Sequence, residues 1–305
     1  MKPDLQERLA FIGLGALGAP MAIHLIRAGF PLTLHNRSDG REVVVLEALE
    51  SPDVEPKRAA SAAEAVADAD LVCLCLSDDA AVEEVLLGRS SASSSNAALP
   101  NLRPGALVID FSTIAPATSR ALATRLAERG VAYIDAPVTG GTEGARAGTL
   151  SVLVGGEPTD LERARAVLDV VGGRITHIGP VGSGQEAKAV NQVLVAGSYA
   201  AVAEAVALGQ RLGLPMERVL DALKSGAAGS WALEHRSSNM LSGEFPLGFK
   251  LALHHKDLGI ALSAAAAASV ALPITERVAA IEHELIAAGF GDNDVSALAR
   301  YYLRD

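Results

Sequence analysis

Residues 8–29, RLAFIGLGALGAPMAIHLIRAG, decide how the rest of the chain is read. A β-prone segment, Arg8 to Ile12, leads into three spaced glycines, Gly13, Gly15 and Gly18, and a helical run follows from Pro20 to Gly29. The glycines serve different ends. Gly13 permits the tight turn, and Gly15, without a side chain, lets backbone approach a pyrophosphate. Set between a strand and a helix, the pattern reads as a dinucleotide fingerprint. Gly13, Gly15, Ala16, Leu17 and Gly18 are then the phosphate-facing residues, at the positive end of the helix.

The next strand, Pro31 to His35, tests which dinucleotide is meant. A carboxylate at its end accepts hydrogen bonds from ribose hydroxyls and repels a 2′-phosphate. Here the strand ends in Asn36, Arg37 and Ser38, a guanidinium with two hydrogen-bonding neighbours, so NADP is expected in preference to NAD. Asp39 keeps NAD open, since a longer strand would bring it to the ribose.

Further strands are predicted at Leu71 to Leu76, Leu107 to Phe111, Val131 to Asp135, Leu150 to Val154 and Arg174 to Ile178, most of them separated by helical or polar stretches. Such alternation predicts a doubly wound α/β sheet of Rossmann type. After Gly184 the pattern changes. Gln185 to Leu212 reads as one long helix, and Met216 to Ser225, Leu251 to Ser269 and Thr275 to Ala288 continue the helical character. The expected organisation is a dinucleotide-binding domain over residues 1–182 and an all-α domain over residues 183–305, joined by the long helix. Ser90 to Asn96 reads as a mobile surface loop.

Composition narrows the partners. With 305 residues, 50% of them hydrophobic but only 4% aromatic, the apolar mass is Ala, Val and Leu suited to closely packed helices. A net charge of -10 argues against nucleic acid and anionic membrane as partners. Charges interrupt every apolar run before the roughly 18–20 residues needed to span a bilayer, and the polar start, Met1 to Leu9, does not read as a secretory signal, so a cytoplasmic protein is expected. Cys73 and Cys75 lie in an apolar strand and read as small buried hydrophobes. His254 and His255 point about 100° apart on a helix and are not assigned a metal.

Three more segments carry chemistry. Asp135 to Gly141 (DAPVTGG) leaves a strand for a loop whose glycine amides suit a carboxylate, although a plain glycine turn reads equally well from the residues alone. Lys188 sits among apolar neighbours; such a lysine is ordinarily a snorkelling side chain, and alternatively a proton donor to a carbonyl that receives hydride. Asn191 and Gln192 follow it by three and four residues on one helix face.

With the fingerprint in residues 11–27, these segments, GSGQEAKAVNQ at residues 182–192 and KDL at residues 256–258 resemble the β-hydroxyacid dehydrogenase family, which includes 3-hydroxyisobutyrate dehydrogenase and tartronate semialdehyde reductase. The resemblance spans nearly the whole chain. It implies an oxidoreductase that moves hydride between a nicotinamide and a small 3-hydroxy acid or its semialdehyde, with Lys188 as general acid in reduction and general base in oxidation. It further implies that Thr139, Gly140 and Gly141 hold the substrate carboxylate, that Asn191 and Gln192 bind substrate, and that Leu76, Ser77, Thr113 and Lys256 meet the cofactor, the last from the helical domain. The sequence departs from the usual pattern at Thr139, where serine is common, and at Gln192, where a second asparagine is usual. Trp231 and Phe249 are candidate pocket residues or simply core. An imine reductase and a catalytically silent NADP-binding module are the competing readings, and Lys188 counts against both. A homodimer or homotetramer is expected.

Overall fold

Short apolar strands separated by helices build the first unit of the computed structural model, which describes residues 7–49, 55–88 and 94–303. In chain order the elements are β1 (Leu9–Ile12), α1 (Gly18–Arg27), β2 (Leu32–His35), α2 (Arg41–Glu47), β3 (Lys57–Arg58), α3 (Ala62–Val66), β4 (Leu71–Leu74), α4 (Asp79–Leu87), β5 (Leu107–Asp110), α5 (Pro116–Ala127), β6 (Ala132–Asp135), β7 (Val138–Thr139), α6 (Gly141–Ala147), β8 (Leu150–Gly155), α7 (Pro158–Val171) and β9 (Gly172–Gly179). The sheet order is β3-β2-β1-β4-β5-β6-β8-β7, with β9 paired to β8. Strands β1 to β6 are parallel, whereas β8 runs antiparallel to β6 and β7. This is the doubly wound arrangement, and its order reverses between β1 and β4, where ligands of such sheets bind.

Alternate residues of each buried strand serve opposite faces. Leu9, Phe11, Leu71, Cys73, Leu107 and Ile109 join one core with Met21, Leu25 and Ile26 of α1 and Leu161, Val167 and Leu168 of α7. Ala10, Ile12, Val72, Leu74, Val108 and Tyr133 join a second core with Val66 of α3, Val82 and Leu86 of α4 and Leu122 and Leu126 of α5. Both faces being covered explains the continuous apolar runs in the sequence.

The details depart from expectation in several places. Strands β3 and β7 have two residues each, too short to leave a periodic signal, and β4 ends at Leu74 rather than Leu76. The segment read as a loop after Asp135 contains β7 and then the start of α6 at Gly141. Of the serine-rich insertion, Ser90–Ser93 lie outside the described residues, as do residues 1–6 of the amino-terminal reading; Ser94–Asn96 form a 3-10 turn.

The second unit is helical: α8 (Ser183–Arg211), α9 (Met216–Leu223), α10 (Trp231–Ser242), α11 (Leu251–Ala267), α12 (Pro273–Ala287) and α13 (Ala299–Tyr302). The chain divides into compact units at residues 1–188 and 189–305, a division that falls inside α8. Tyr199, Ala203 and Val206 of α8 pack with Met240, Leu258, Ile281 and Leu285 in a core of their own. Truncating one of these leucines to alanine costs about 2–5 kcal/mol. Helix α10 escaped the sequence reading because Ser237, Ser238 and Asn239 are weak helix formers; Ser230 starts it by accepting the Leu233 N–H through its hydroxyl, at 3.1 Å. Helix α8 is long and apolar enough to cross a bilayer, the one such helix among the described residues, and half of its apolar window is buried in the protein.

Candidate active site

The glycine loop has three distinct environments. Gly13 has φ 101°, and a Cβ there would collide with the Cys75 carbonyl; a Cβ at Gly18 would collide with the Gly13 carbonyl. Gly15 faces open space, with nothing within 4 Å of a Cβ position. Two glycines therefore close the strand–turn–helix and the third leaves an open approach. No side chain caps the first turn of α1, and no acid lies in it, so its N–H groups suit a phosphate. The residues fit a dinucleotide.

Asn36 braces this loop. Its Oδ1 accepts the Leu14 N–H at 2.9 Å and its Nδ2 donates to the Ser38 carbonyl at 2.9 Å, so its amide is engaged within the protein, while Arg37 and Ser38 are exposed beside it. Across the sheet, the carboxyl ends of β4, β5 and β6 are tied together by buried polar groups. The Leu76 N–H donates to Ser112 Oγ at 2.9 Å, and the Ser112 N–H donates to Asp110 Oδ1 at 2.9 Å. Tyr133 Oη donates to the other Asp110 oxygen at 3.0 Å. Burial pushes the Asp110 carboxyl up to about 6 and the Cys75 thiol up to about 12. Exposed Ser77 donates to Asp78, which caps α4, and Thr113 stands half-buried after β5.

Asp135, at the end of β6, acts as the cap of α8 from outside the helix. It accepts the Gly182 N–H at 2.6 Å and the Gln185 N–H at 2.9 Å. Close approach to Asp135 makes glycine necessary at Gly155 and Gly184, where a Cβ would clash with its carboxylate. Burial raises this carboxyl despite the bonds it accepts. Thr139 pairs with Ser151 of β8, and Gly140 (φ 130°) and Gly141 (φ 63°) open α6. Their surroundings include a residue the sequence reading passed over: Glu143 Oε2 accepts the Thr142 hydroxyl at 3.2 Å and lies 3.0 Å from a Cβ position on Gly141.

Lys188 is 7% exposed, in the second turn of α8. In the helical unit, Gln192 and Asp257 are 1% and 3% exposed, and Gln192 Nε2 donates to Asp257 Oδ2 at 2.7 Å. Asn191 Nδ2 donates to Gln192 Oε1 at 2.8 Å, and Lys256 pairs with Asp257 Oδ1 at 3.0 Å. Asn191, Gln192 and Lys256 thus meet in one relay centred on Asp257. Asp257 stands beside Lys256 in the KDL segment, but local spacing does not show its bond to Gln192, 65 residues away in sequence. Trp231 stands half-exposed, stacked on His235 with the Arg236 guanidinium 4.7 Å from its ring, and Phe249 packs edge-on to His254. His254 in turn bonds Glu282 at 2.6 Å, both fully buried. No group of three metal-type ligands occurs among the described residues.

Comparison with known proteins places the chain and its fold in a family. The profile for the NAD binding domain of 6-phosphogluconate dehydrogenase matches residues 8–179, and that for the NAD-binding region of NADP-dependent 3-hydroxyisobutyrate dehydrogenase matches residues 182–302. The chain is 37% identical to 2-hydroxy-3-oxopropionate reductase of Escherichia coli, covering 96% of each, and 36% identical to NAD-dependent L-serine dehydrogenase of Pseudomonas aeruginosa, covering 97% of this chain and 98% of the relative. The solved structure of Mycobacterium tuberculosis 3-hydroxyisobutyrate dehydrogenase with L-serine superposes with a TM-score of 0.82 at 32% identity, covering 96% of this chain and 98% of that one. The chain belongs to the β-hydroxyacid dehydrogenase family. It is an oxidoreductase with a nicotinamide-binding Rossmann domain and a helical second domain.

Proposed function

We propose that this protein is an NADP-preferring enzyme that interconverts small 3-hydroxy acids and their semialdehydes or 3-oxo acids, with Lys188 as the proton donor in reduction and acceptor in oxidation. The burial of Lys188, on a helix whose first turn is anchored to Asp135, is the observation that carries this reading. A bound nicotinamide supplies or takes the hydride. As hydride arrives, charge develops on the carbonyl oxygen, and an ammonium held out of bulk water stabilises that charge and delivers the proton. Asn191, one turn along the helix, orients the oxygen-bearing carbon, supported by Gln192. Thr139, Gly140 and Gly141 receive the carboxylate through hydroxyl and backbone N–H groups.

The NADP preference rests on Arg37 and Ser38, exposed at the end of β2 where a carboxylate would stand for NAD. Thr113, Leu76 and Ser77 stand at strand ends as nicotinamide-side contacts, with Lys256 as a further cation. Val190, Leu194, Leu208 and Leu212, all exposed on α8 or just beyond it, favour a homodimer or homotetramer, which light scattering decides.

The test is absorbance at the nicotinamide band with a panel of semialdehyde acids and hydroxy acids. Turnover with NADPH that disappears in Lys188→Ala, and a preference that moves toward NADH in Arg37→Ala, are expected. Equal use of both cofactors by both proteins would refute the NADP assignment. Activity retained without Lys188 would refute its role.

A further inference from the structure

Gln185 is 1% exposed, and both ends of its side-chain amide are engaged by one short stretch of backbone. Its Nε2 donates to the Ser112 carbonyl at 2.8 Å, and its Oε1 accepts the Ile114 N–H at 3.2 Å. Those two groups flank Thr113, so a single side chain pairs with the chain on both sides of that residue, as a neighbouring strand would. The backbone of Gln185 is itself pinned, through its N–H, to Asp135 at the end of β6. Ser112 accepts the Leu76 N–H from the end of β4 and donates its own N–H to Asp110. The Gln185 side chain ties the loop after β5 to the first turn of α8, its backbone N–H ties that turn to β6, and Ser112 extends the connection to β4. Lys188 follows three residues later, on the same helix face.

We propose that Gln185 is a positioning residue for hydride transfer, holding Thr113, at the carboxyl end of β5, in register with the helix turn that presents Lys188. The proposal rests on the reading of Lys188 as proton donor. Thr113 and its loop stand at the carboxyl edge of the sheet, where a dinucleotide lies in this fold. Transfer of hydride and proton to one carbonyl requires both donors to be held together, and displacement by about 1 Å can cost about a hundredfold in rate. The chemistry selects glutamine: a carbonyl and an N–H two residues apart need a donor and an acceptor on one planar group. Asparagine is a carbon too short, and an ionised glutamate lacks the donor.

The test uses the full-length protein as Gln185→Met and Gln185→Glu. Methionine conserves volume and leaves both backbone groups unpaired. The expected result is a fall in kcat of roughly tenfold or more, with the NADPH dissociation constant within about threefold of wild type, because the glycine loop is untouched. The isotope effect with NADPH deuterated at the transferred position should rise, as the chemical step becomes limiting. Glutamate regains the missing donor when it takes up a proton, so the activity of Gln185→Glu relative to wild type should climb as pH falls; this arm carries the test if the methionine variant does not fold. Wild-type kcat and isotope effect in Gln185→Met, or a pH-independent loss in Gln185→Glu, would overturn the proposal. A wild-type protein inactive on every hydroxy acid and semialdehyde would instead overturn the dehydrogenase reading, and this role with it.

Discussion

Gln192 and Asp257 are locked end to end, with Nε2 of the amide 2.7 Å from Oδ2 of the carboxylate and both side chains buried. A carboxylate only accepts, so it dictates which end of the Gln192 amide faces it. The amide oxygen is then turned to Asn191, which must offer its own Nδ2. One buried charge thus sets the polarity of both amides. Asp257→Asn removes that constraint and is expected to cost about 1.5–3 kcal/mol in kcat/KM for the hydroxy acid, roughly ten- to a hundredfold, with NADPH affinity little changed. Gln192→Asn, which shortens the arm that reaches Asp257, should change kcat/KM in the same direction. Steady-state kinetics on both variants decide the matter, and unaltered constants in both would refute the relay.

Glu143 places a negative charge beside Gly141, in the loop expected to receive a carboxylate. Its removal should therefore help. Glu143→Gln is expected to lower KM for the acid by a factor of a few, within the roughly 1 kcal/mol typical of exposed charge interactions, and the gain should shrink with added salt. A rise in KM would mean that Glu143 aids binding instead.

Asp110 titrates upward, from an ordinary 3.8 to about 6, because burial penalises its charged form. Below pH 4 both folded and unfolded chains carry the proton. Between pH 4 and 6 the unfolded chain ionises first, so this group makes stability fall as pH rises, by about 3 kcal/mol in all. Asparagine keeps an acceptor for the Ser112 N–H without the charge. The stability of Asp110→Asn relative to wild type should improve steadily across that window in urea denaturation. Parallel curves would contradict the assignment.

His254 and Glu282 bond at 2.6 Å with both side chains fully buried, and the second Glu282 oxygen accepts no hydrogen bond among the described residues, with His255 Nδ1 at 3.9 Å. Removing one partner leaves the other without compensation. His254→Leu is expected to destabilise by about 3–5 kcal/mol, and the double change with Glu282→Leu should recover most of that loss. Thermal or denaturant melts of the three variants measure the coupling; additive losses would show that the pair contributes nothing as a pair.

Local pattern was enough for much of this molecule. The apolar runs at β1, β4 and β5, buried on both faces, and the glycine spacing before α1 are properties of a few consecutive residues, and from them the sequence alone determined a Rossmann-type sheet followed by helices. The need for glycine at Gly13 was equally legible, since a tight turn demands that residue wherever it occurs. The family motifs marked Lys188, Asn191 and Thr139 as the residues to watch.

Tertiary structure decided what those residues are tied to. The sequence did not show that the Asn36 amide braces Leu14, and the segment after Asp135 could be read as a loop until β7 found its partner in β8. Asp135, Gln185 and Asp257 fall inside the quoted motifs, but their partners are not legible there, because those groups lie 47 to 73 residues away. A buried carboxylate or amide is defined by the partners that satisfy it, and only the folded chain brings those partners within 3 Å.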